Sequence, residues 1–171
     1  MTNNIDPKKI VITGPENSGK TILSEGLASD LNWPMVPEMA RTFLRHKTNY
    51  NIKDLADLCQ IQCEVETATF DIATEGVICD TNALTIYVWS WLKLGERIVC
   101  DKHTIFEPDL YVLCYPDVPF EDDRQREDIN RREMLFDLYL TILLNWQLPF
   151  IVVRGERQER IDHTISVIET L

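Results

Sequence analysis

The chain has 171 residues, 44% hydrophobic and 26% charged, a composition typical of one globular domain with a full core. Its formal net charge of −11 argues against nonspecific binding to DNA or RNA, because such binding depends on Lys and Arg neutralising phosphates. No apolar stretch approaches the roughly 18 residues that a membrane span needs, so we expect no membrane partner. We therefore treat residues 1–171 as a single domain.

The N-terminal part contains the most informative motif. An apolar run predicts a buried strand at Lys9–Thr13, and the residues after it, Gly14–Thr21, read G-x-x-x-x-G-K-T. A helical pattern over Lys20–Leu31 follows. Strand, glycine loop and helix in this order are the context in which backbone N–H groups and a helix N-terminus bind the phosphates of a nucleotide. We call Gly14–Thr21 the phosphate loop.

The phosphate loop also predicts the cofactors, ATP and Mg²⁺. Lys20 is expected to reach the β- and γ-phosphates, and the hydroxyl of Thr21 is expected to ligate Mg²⁺. The residues of this loop that we expect to contact the nucleotide are Gly14, Glu16, Asn17, Ser18, Gly19, Lys20 and Thr21.

Short apolar runs alternate with helical patterns along the rest of the chain. The further predicted strands are Met35–Pro37, Gly76–Asp80, Asp109–Cys114 and Pro149–Arg154. The further predicted helices are Met39–His46, Ile52–Ala73, Ala83–Leu94, Asn130–Trp146 and Glu156–Leu171. This alternation predicts an α/β fold with a mainly parallel five-stranded sheet between two layers of helices. Because ligands of such folds bind at the carboxyl ends of strands, the residues after each strand are candidate site residues.

Two carboxylates follow the second and third predicted strands. Glu38 is placed to accept a proton from a substrate hydroxyl, with Arg41 one helical turn away; a first-turn carboxylate that stabilises the helix dipole is an equally good interpretation. Asp80 follows the apolar pair Val77-Ile78, the layout of a carboxylate that holds Mg²⁺ directly or through water. A role for Asp80 in capping the next helix is compatible with that function.

The connection over residues 115–132 is the longest polar stretch and contains four arginines among six acidic residues. A solvated, salt-bridged surface is the usual meaning of such a run. The other interpretation is a lid whose arginines neutralise charge on a transferred phosphoryl group. We favour Arg126 as the catalytic arginine of this lid, with Arg131 or Arg132 beside the nucleotide.

The turn after the fifth predicted strand completes the set of candidates. Gly155 permits close approach of a ligand to the backbone, although a plain tight turn explains this glycine equally well. We assign Gly155 and Arg157 to the nucleotide-binding residues.

The five cysteines form no C-x-x-C pair. Cys59 and Cys63 lie four residues apart on a predicted helix, which by itself is weak support for a metal site. An odd cysteine count, without a basic and apolar leader at the N-terminus, indicates reduced thiols and a cytoplasmic protein.

Taken in order, four segments of the chain resemble the nucleoside kinase branch of the P-loop NTPases. More narrowly, the chain resembles the ribosylnicotinamide kinase domain of NadR-type NAD-biosynthesis proteins and its stand-alone relatives. The segments are Gly14–Thr21, Pro37–Arg41, Ile78–Asn82 and Pro119–Arg126, and they occur in the order that the family has.

The resemblance implies a P-loop NTPase fold, a three-layer α/β/α sandwich with a lid. It also implies transfer of the γ-phosphoryl group of ATP to a hydroxyl of a nucleoside such as nicotinamide riboside, in NAD metabolism. Glu38 matches the acid that acts as base or holds the sugar hydroxyl, Asp80 the acid near the metal, and Arg126 the lid arginine. With Lys20, these are the candidate catalytic residues. Pro37 and Asn82 depart from the family pattern on the acceptor side, so the identity of the nucleoside stays open.

Two other hypotheses compete with the kinase. One is a regulatory ATPase or nucleotide-dependent switch without a small-molecule acceptor, and the other is a binding module that retains the phosphate loop but not catalysis. A GTP-dependent switch is disfavoured, because no N-K-x-D guanine motif is present. Beyond a nucleoside, a second copy of the chain in a homo-oligomer is the remaining candidate partner.

Overall fold

A computed structural model of the protein describes residues 6–45, 47, 49–99, 108–118 and 131–171. The strands are β1 (Lys8–Thr13), β2 (Met35–Val36), β3 (Gly76–Asp80), β4 (Leu110–Cys114) and β5 (Phe150–Val153). The helices in these ranges are α1 (Lys20–Leu31), α2 (Met39–Phe43), α3 (Ile52–Phe70), α4 (Ala83–Leu94), α5 (Arg132–Asn145) and α6 (Arg157–Ile168). None of the helices in this part of the chain is long and apolar enough to cross a membrane.

All five strands form one parallel sheet in the order β2-β3-β1-β4-β5. Successive side chains of the central strand point to opposite faces, as the geometry of a strand requires. Ile10 and Ile12 pack with apolar residues of α1 and α6, whereas Val11 packs with those of α3, α4 and α5. Helices therefore cover both faces, and the predicted three-layer α/β/α sandwich with a parallel five-stranded sheet is confirmed.

The register of the sheet brings the strand ends that carry the candidate residues to one edge. Ile12 pairs with Asp80 across β1 and β3, and Val36 of β2 pairs with Cys79 of β3. The phosphate loop therefore begins beside Asp80, and the segment with Glu38 follows on the other side of β3.

Several element boundaries differ from the predicted ones by one to three residues. β2 ends at Val36 because Pro37 has no N–H to donate to a neighbouring strand. α2 ends at Phe43, and the predicted end at His46 lies outside the described residues. α3 begins at a capping box formed by Asn51 and Asp54 and ends at Phe70. Such differences are expected, since helix ends fray and the pattern of apolar residues does not mark them.

Candidate active site

The phosphate loop depends on backbone conformations that only glycine adopts easily. Gly14 has φ +131°, and a Cβ atom added there would lie 2.8 Å from the carbonyl oxygen of Cys114 at the end of β4. Gly19 has φ +83° and is the N-cap residue of α1. Both glycines of the motif are therefore required by the geometry of the loop itself.

Two arginines hold carbonyl groups of the phosphate loop from one side. Nη1 of Arg132 donates to the Asn17 carbonyl oxygen at 3.0 Å, and Nη1 of Arg160 donates to the Ser18 carbonyl oxygen at 2.8 Å. In a planar trans peptide the following N–H points away from the carbonyl oxygen. The N–H groups of Ser18 and Gly19 therefore point away from the two guanidinium groups, as an anion-binding nest of backbone N–H groups requires.

Lys20 and the start of the loop contact each other. Nζ of Lys20 and Oγ of Ser18 both donate to the carbonyl oxygen of Pro15, each at 2.8 Å. The Lys20 ammonium group thus lies over the phosphate loop, in the position from which it would reach a bound phosphate.

The residues predicted to hold Mg²⁺ lie side by side. Oγ1 of Thr21 donates to Oδ2 of Asp80 at 2.9 Å, and Oγ of Ser24 donates to Oδ1 at 3.3 Å. Asp80 is buried, and burial raises the pKa of its carboxyl above the ordinary value of 3.8, against the opposing effect of the Thr21 hydrogen bond. Adjacent hydroxyl and carboxylate oxygens are the ligands that Mg²⁺ prefers, so this donor set fits the ion.

Glu38 is joined to the same group of residues through Arg41. Nε of Arg41 donates to Oε2 of Glu38 at 2.8 Å, and its Nη2 donates to Oγ1 of Thr21 at 3.1 Å. A continuous chain of hydrogen bonds therefore runs from Glu38 to Asp80, and the two predicted carboxylates belong to one site. Glu38 is the N-cap residue of α2, but its side chain makes no capping hydrogen bond. The carboxylate therefore pairs with Arg41 rather than with a helix-start N–H, and its effect on the dipole of α2 stays an alternative interpretation.

The sequence interpretation missed Arg160, which is 2% exposed and contacts four acceptors. Besides the Ser18 carbonyl, it donates to the carbonyl oxygens of Gly155 and Tyr115 and forms an ion pair with Asp117. The signal that could have found it is the buried stripe of α6, where Arg160 stands beside Ile161. An arginine on the buried face of an amphipathic helix indicates buried acceptors nearby.

Two candidates near this arginine have structural explanations. Gly155 has φ +83°, and the space that a Cβ atom would take is filled by the carboxylate of Glu159. Its N–H donates to Oδ2 of Asp117 at 2.8 Å. The guanidinium of Arg157 packs beside Gly26 of α1. Its Nη2 lies 3.4 Å from the point that a Cβ atom would occupy if Gly26 had a side chain. A contact of Gly155 or Arg157 with a nucleotide stays a prediction.

The remaining candidates are distributed as follows. Glu16 and Asn17 are partly exposed members of the phosphate loop, and Asn17 has φ +55°. Arg131 is the N-cap residue of α5. Arg126 and most of the predicted lid lie outside the described residues.

Asn82 and the pair Cys59 and Cys63 have structural surroundings that explain them. The Asn82 side chain is buried, accepts from the N–H of Leu84 and donates to the Tyr111 hydroxyl at 2.9 Å, so it caps α4. A hydrogen bond with Cys59 and burial raise the pKa of the Cys63 thiol. In the ranges that the structure describes, no three His, Cys, Asp or Glu side chains are grouped to hold a metal ion.

Comparisons with known proteins agree with this fold. The model of the AAA domain family matches residues 9–160. No curated protein matches the sequence. Among solved structures, NadR protein in complex with NAD and AMP-PNP has a TM-score of 0.77 at 18% identity, covering 96% of this chain and 49% of that one. This chain therefore spans about half the length of that NadR chain.

Two smaller proteins match over their whole length. Thymidylate kinase from Ehrlichia chaffeensis has a TM-score of 0.69 at 14% identity, covering 96% of this chain and 100% of that one. Deoxyadenosine kinase from M. mycoides has a TM-score of 0.65 at 14% identity, covering 95% and 100%. At these identities the likeness shows the fold, which is that of the nucleoside and nucleotide kinases, as predicted. Because the family model covers most of the chain, the protein belongs to the AAA domain family, with a P-loop fold of the nucleoside kinase kind.

Proposed function

We propose that the protein is an ATP- and Mg²⁺-dependent kinase that transfers the γ-phosphoryl group to a hydroxyl of a nucleoside. The observation that carries the proposal is the chain of hydrogen bonds Glu38–Arg41–Thr21–Asp80. It joins a carboxylate without a capping role to the residue of the phosphate loop that would ligate the metal. A nucleotide-binding site alone has no need of this second carboxylate, whereas a transferase needs one beside the acceptor hydroxyl.

Each residue then has a defined task. Lys20 and the N–H groups of the phosphate loop bind and orient the β- and γ-phosphates. Thr21 and Asp80 would hold Mg²⁺, which when bound neutralises charge on the phosphates. Glu38 holds the acceptor hydroxyl and receives its proton, and the Arg41 guanidinium orients that carboxylate through its hydrogen bond to Oε2.

The proposed acceptor is inferred from the family resemblance and from the structural relatives. The family resemblance points to nicotinamide riboside, and another NadR protein structure with the same fold was solved in complex with NR. The other structural relatives include deoxyadenosine and thymidylate kinases, so the acceptor class we propose is a nucleoside, with nicotinamide riboside as the first to test. The proposal includes a lid over residues 115–132 that carries Arg126.

The test is ADP formation from ATP and Mg²⁺ with nicotinamide riboside, with a panel of common nucleosides and with no acceptor. We expect turnover only with an acceptor. Turnover that is indifferent to every acceptor would contradict the proposal and favour a regulatory ATPase.

A matched pair of variants tests the carboxylate. Glu38→Gln should retain ATP affinity and lose about 10²- to 10⁴-fold in transfer, as removal of a general base does. Glu25→Gln makes the same change at an exposed position of α1 and should transfer at the parental rate. Equal rates for the two variants would reduce Glu38 to a helix-start carboxylate.

A further inference from the structure

We infer that Gln62 of α3 is a positioning residue that fixes the backbone carrying Glu38, and that the buried pair Lys9–Glu66 fixes the orientation of the Gln62 amide. The role of Glu38 rests on the proposed function, whereas the contacts that position it are given by the structure alone.

The Gln62 side chain lies between Glu66 and the start of α2. Gln62 and Glu66 are each 1% exposed and stand four residues apart on α3. Nε2 of Gln62 donates to Oε1 of Glu66 at 3.1 Å, and its Oε1 accepts from the N–H of Met39 at 3.1 Å. Met39 is the first residue of α2 and directly follows Glu38.

The ion pair determines which way this amide points. Nζ of Lys9 lies 2.6 Å from Oε2 of Glu66, the short distance of a charge-assisted contact. Burial raises the pKa of Glu66, and the ammonium of Lys9 opposes that rise. An ionised carboxylate only accepts hydrogen bonds, so the NH₂ group of Gln62 must face it. The carbonyl oxygen of the amide is then left to face the N–H of Met39.

The contact matters because it gives a helix-start N–H next to Glu38 a partner from another helix. The first N–H groups of a helix have no partner within the helix, and that of Met39 is one of them. β2 is two residues long, and Pro37 has no N–H to donate. A hydrogen bond from the rigid, 19-residue α3 therefore fixes the point from which the Glu38 side chain leaves the backbone.

Gln62 is not placed to recognise a nucleobase. Both ends of its amide are used within the protein, and the side chain is buried. A glutamine that read a base would have to expose at least one end of its amide.

The chain offers a matched control on the same helix. Gln60 and Glu64 have the same chemistry and spacing, with Nε2 of Gln60 donating to Oε1 of Glu64 at 2.9 Å, but this pair is at the surface. The experiment compares Gln62→Met and Glu66→Gln with Gln60→Met and Glu64→Gln. Three quantities are measured for each folded variant: the rate of phosphoryl transfer, the ATP dissociation constant, and hydrogen exchange at the Met39 amide by NMR.

We expect Gln62→Met to lower kcat by about 10- to 100-fold, the effect of misplacing a reacting group by roughly 1 Å, with the ATP dissociation constant within twofold of the parent. Glu66→Gln should show a smaller loss, because a neutral amide no longer enforces one orientation. Both variants should speed exchange at the Met39 amide at least about tenfold, the effect of losing roughly 1.4 kcal/mol of protection. Gln60→Met and Glu64→Gln, at the surface, should leave kcat, the ATP dissociation constant and exchange at the Met39 amide unchanged. If Gln62→Met does not fold, the double variant Lys9→Met with Glu66→Gln, which removes both charges of the buried pair and leaves neither unpaired, decides the test.

Two results would overturn the inference. One is an unchanged rate of hydrogen exchange at the Met39 amide in folded Gln62→Met and Glu66→Gln. The other is a fall in ATP affinity as large as the fall in kcat, since that is what general loss of structure produces. If the parent protein transfers no phosphate to any acceptor, the proposed function fails, and the exchange measurement alone decides whether Gln62 positions the segment.

Discussion

Replacing Arg160 with Met removes a buried cation from the back of the phosphate loop while keeping an unbranched side chain of similar length. The substitution leaves the carbonyl oxygen of Ser18, a fully buried residue, without its 2.8 Å hydrogen bond. It also breaks the ion pair with Asp117, whose side chain is 30% exposed and can be hydrated instead. The carbonyl of Gly155 lies in an exposed turn and regains a partner from water.

These contacts set the expected magnitude. The unsatisfied Ser18 carbonyl should cost about 1–3 kcal/mol and the partly exposed ion pair about 1 kcal/mol, so the free energy of unfolding should fall by about 2–4 kcal/mol. For a domain of this size, each kcal/mol corresponds to about 2–4 °C, which gives a fall in Tm of roughly 4–16 °C. Since the Ser18 peptide then loses its fixed orientation, ATP should also bind more weakly.

The assay is urea unfolding together with calorimetric titration of Mg²⁺ and ATP. Arg97→Met is the matched control: it removes the same charge at an exposed position, where the guanidinium stacks on Trp91 at 4.4 Å. That control should lose at most about 1 kcal/mol and keep its affinity for ATP. A loss below 1 kcal/mol in Arg160→Met, with unchanged ATP affinity, would refute the role given to this arginine.

Three further predictions concern the site itself. Lys20→Ala should weaken ATP binding about 10- to 100-fold by removing charge-assisted hydrogen bonds, measured by titration; unchanged binding would remove this lysine from the nucleotide site. Gly14→Ala should lower the free energy of unfolding by about 1–3 kcal/mol more than Gly95→Ala, because both glycines have positive φ but only Gly14 meets a backbone oxygen; equal losses would contradict the close approach to Cys114. The raised pKa of Asp80 means that the folded protein binds this proton more tightly than the unfolded chain, so its contribution to stability falls as the pH rises above 3.8. Asp80→Asn, followed by urea unfolding across pH, should therefore become more stable relative to the parent as the pH rises, and a pH-independent difference would disprove the shift.

The phosphate loop and the two carboxylates beside it could be predicted from the sequence, because their places follow from the topology of a parallel sheet. Gly14 directly follows β1, Asp80 is the last residue of β3 and Glu38 stands two residues after β2, and the carboxyl ends of parallel strands lie at one edge. The apolar runs that mark these strands are short and continuous, so the strands could be recognised in the sequence. Their positions were sufficient to predict which residues lie at this edge of the sheet.

Arg160 and Gln62 could not be found in this way. Arg160 acts on Ser18, 142 residues away, and Gln62 acts on Met39 across the α2–α3 packing. The buried stripe of α6 indicates only that Arg160 has buried acceptors, whereas the partners of Arg160 and of Gln62 depend on how the helices pack. Helix-start carboxylates pose the same problem: only the structure shows that the Glu38 side chain does not cap α2. The lid over 115–132 stays a prediction, because residues 119–130 lie outside the described ranges.

The most direct test of the central claim is to follow the phosphate itself. ATP radiolabelled in its γ-phosphate is incubated with Mg²⁺, the protein and nicotinamide riboside or another nucleoside, and the products are separated by chromatography. We predict that label appears on the nucleoside with the parent protein and with Glu25→Gln, and that this labelling falls by orders of magnitude with Glu38→Gln. Label that appears as inorganic phosphate at the same rate with or without every acceptor would contradict it.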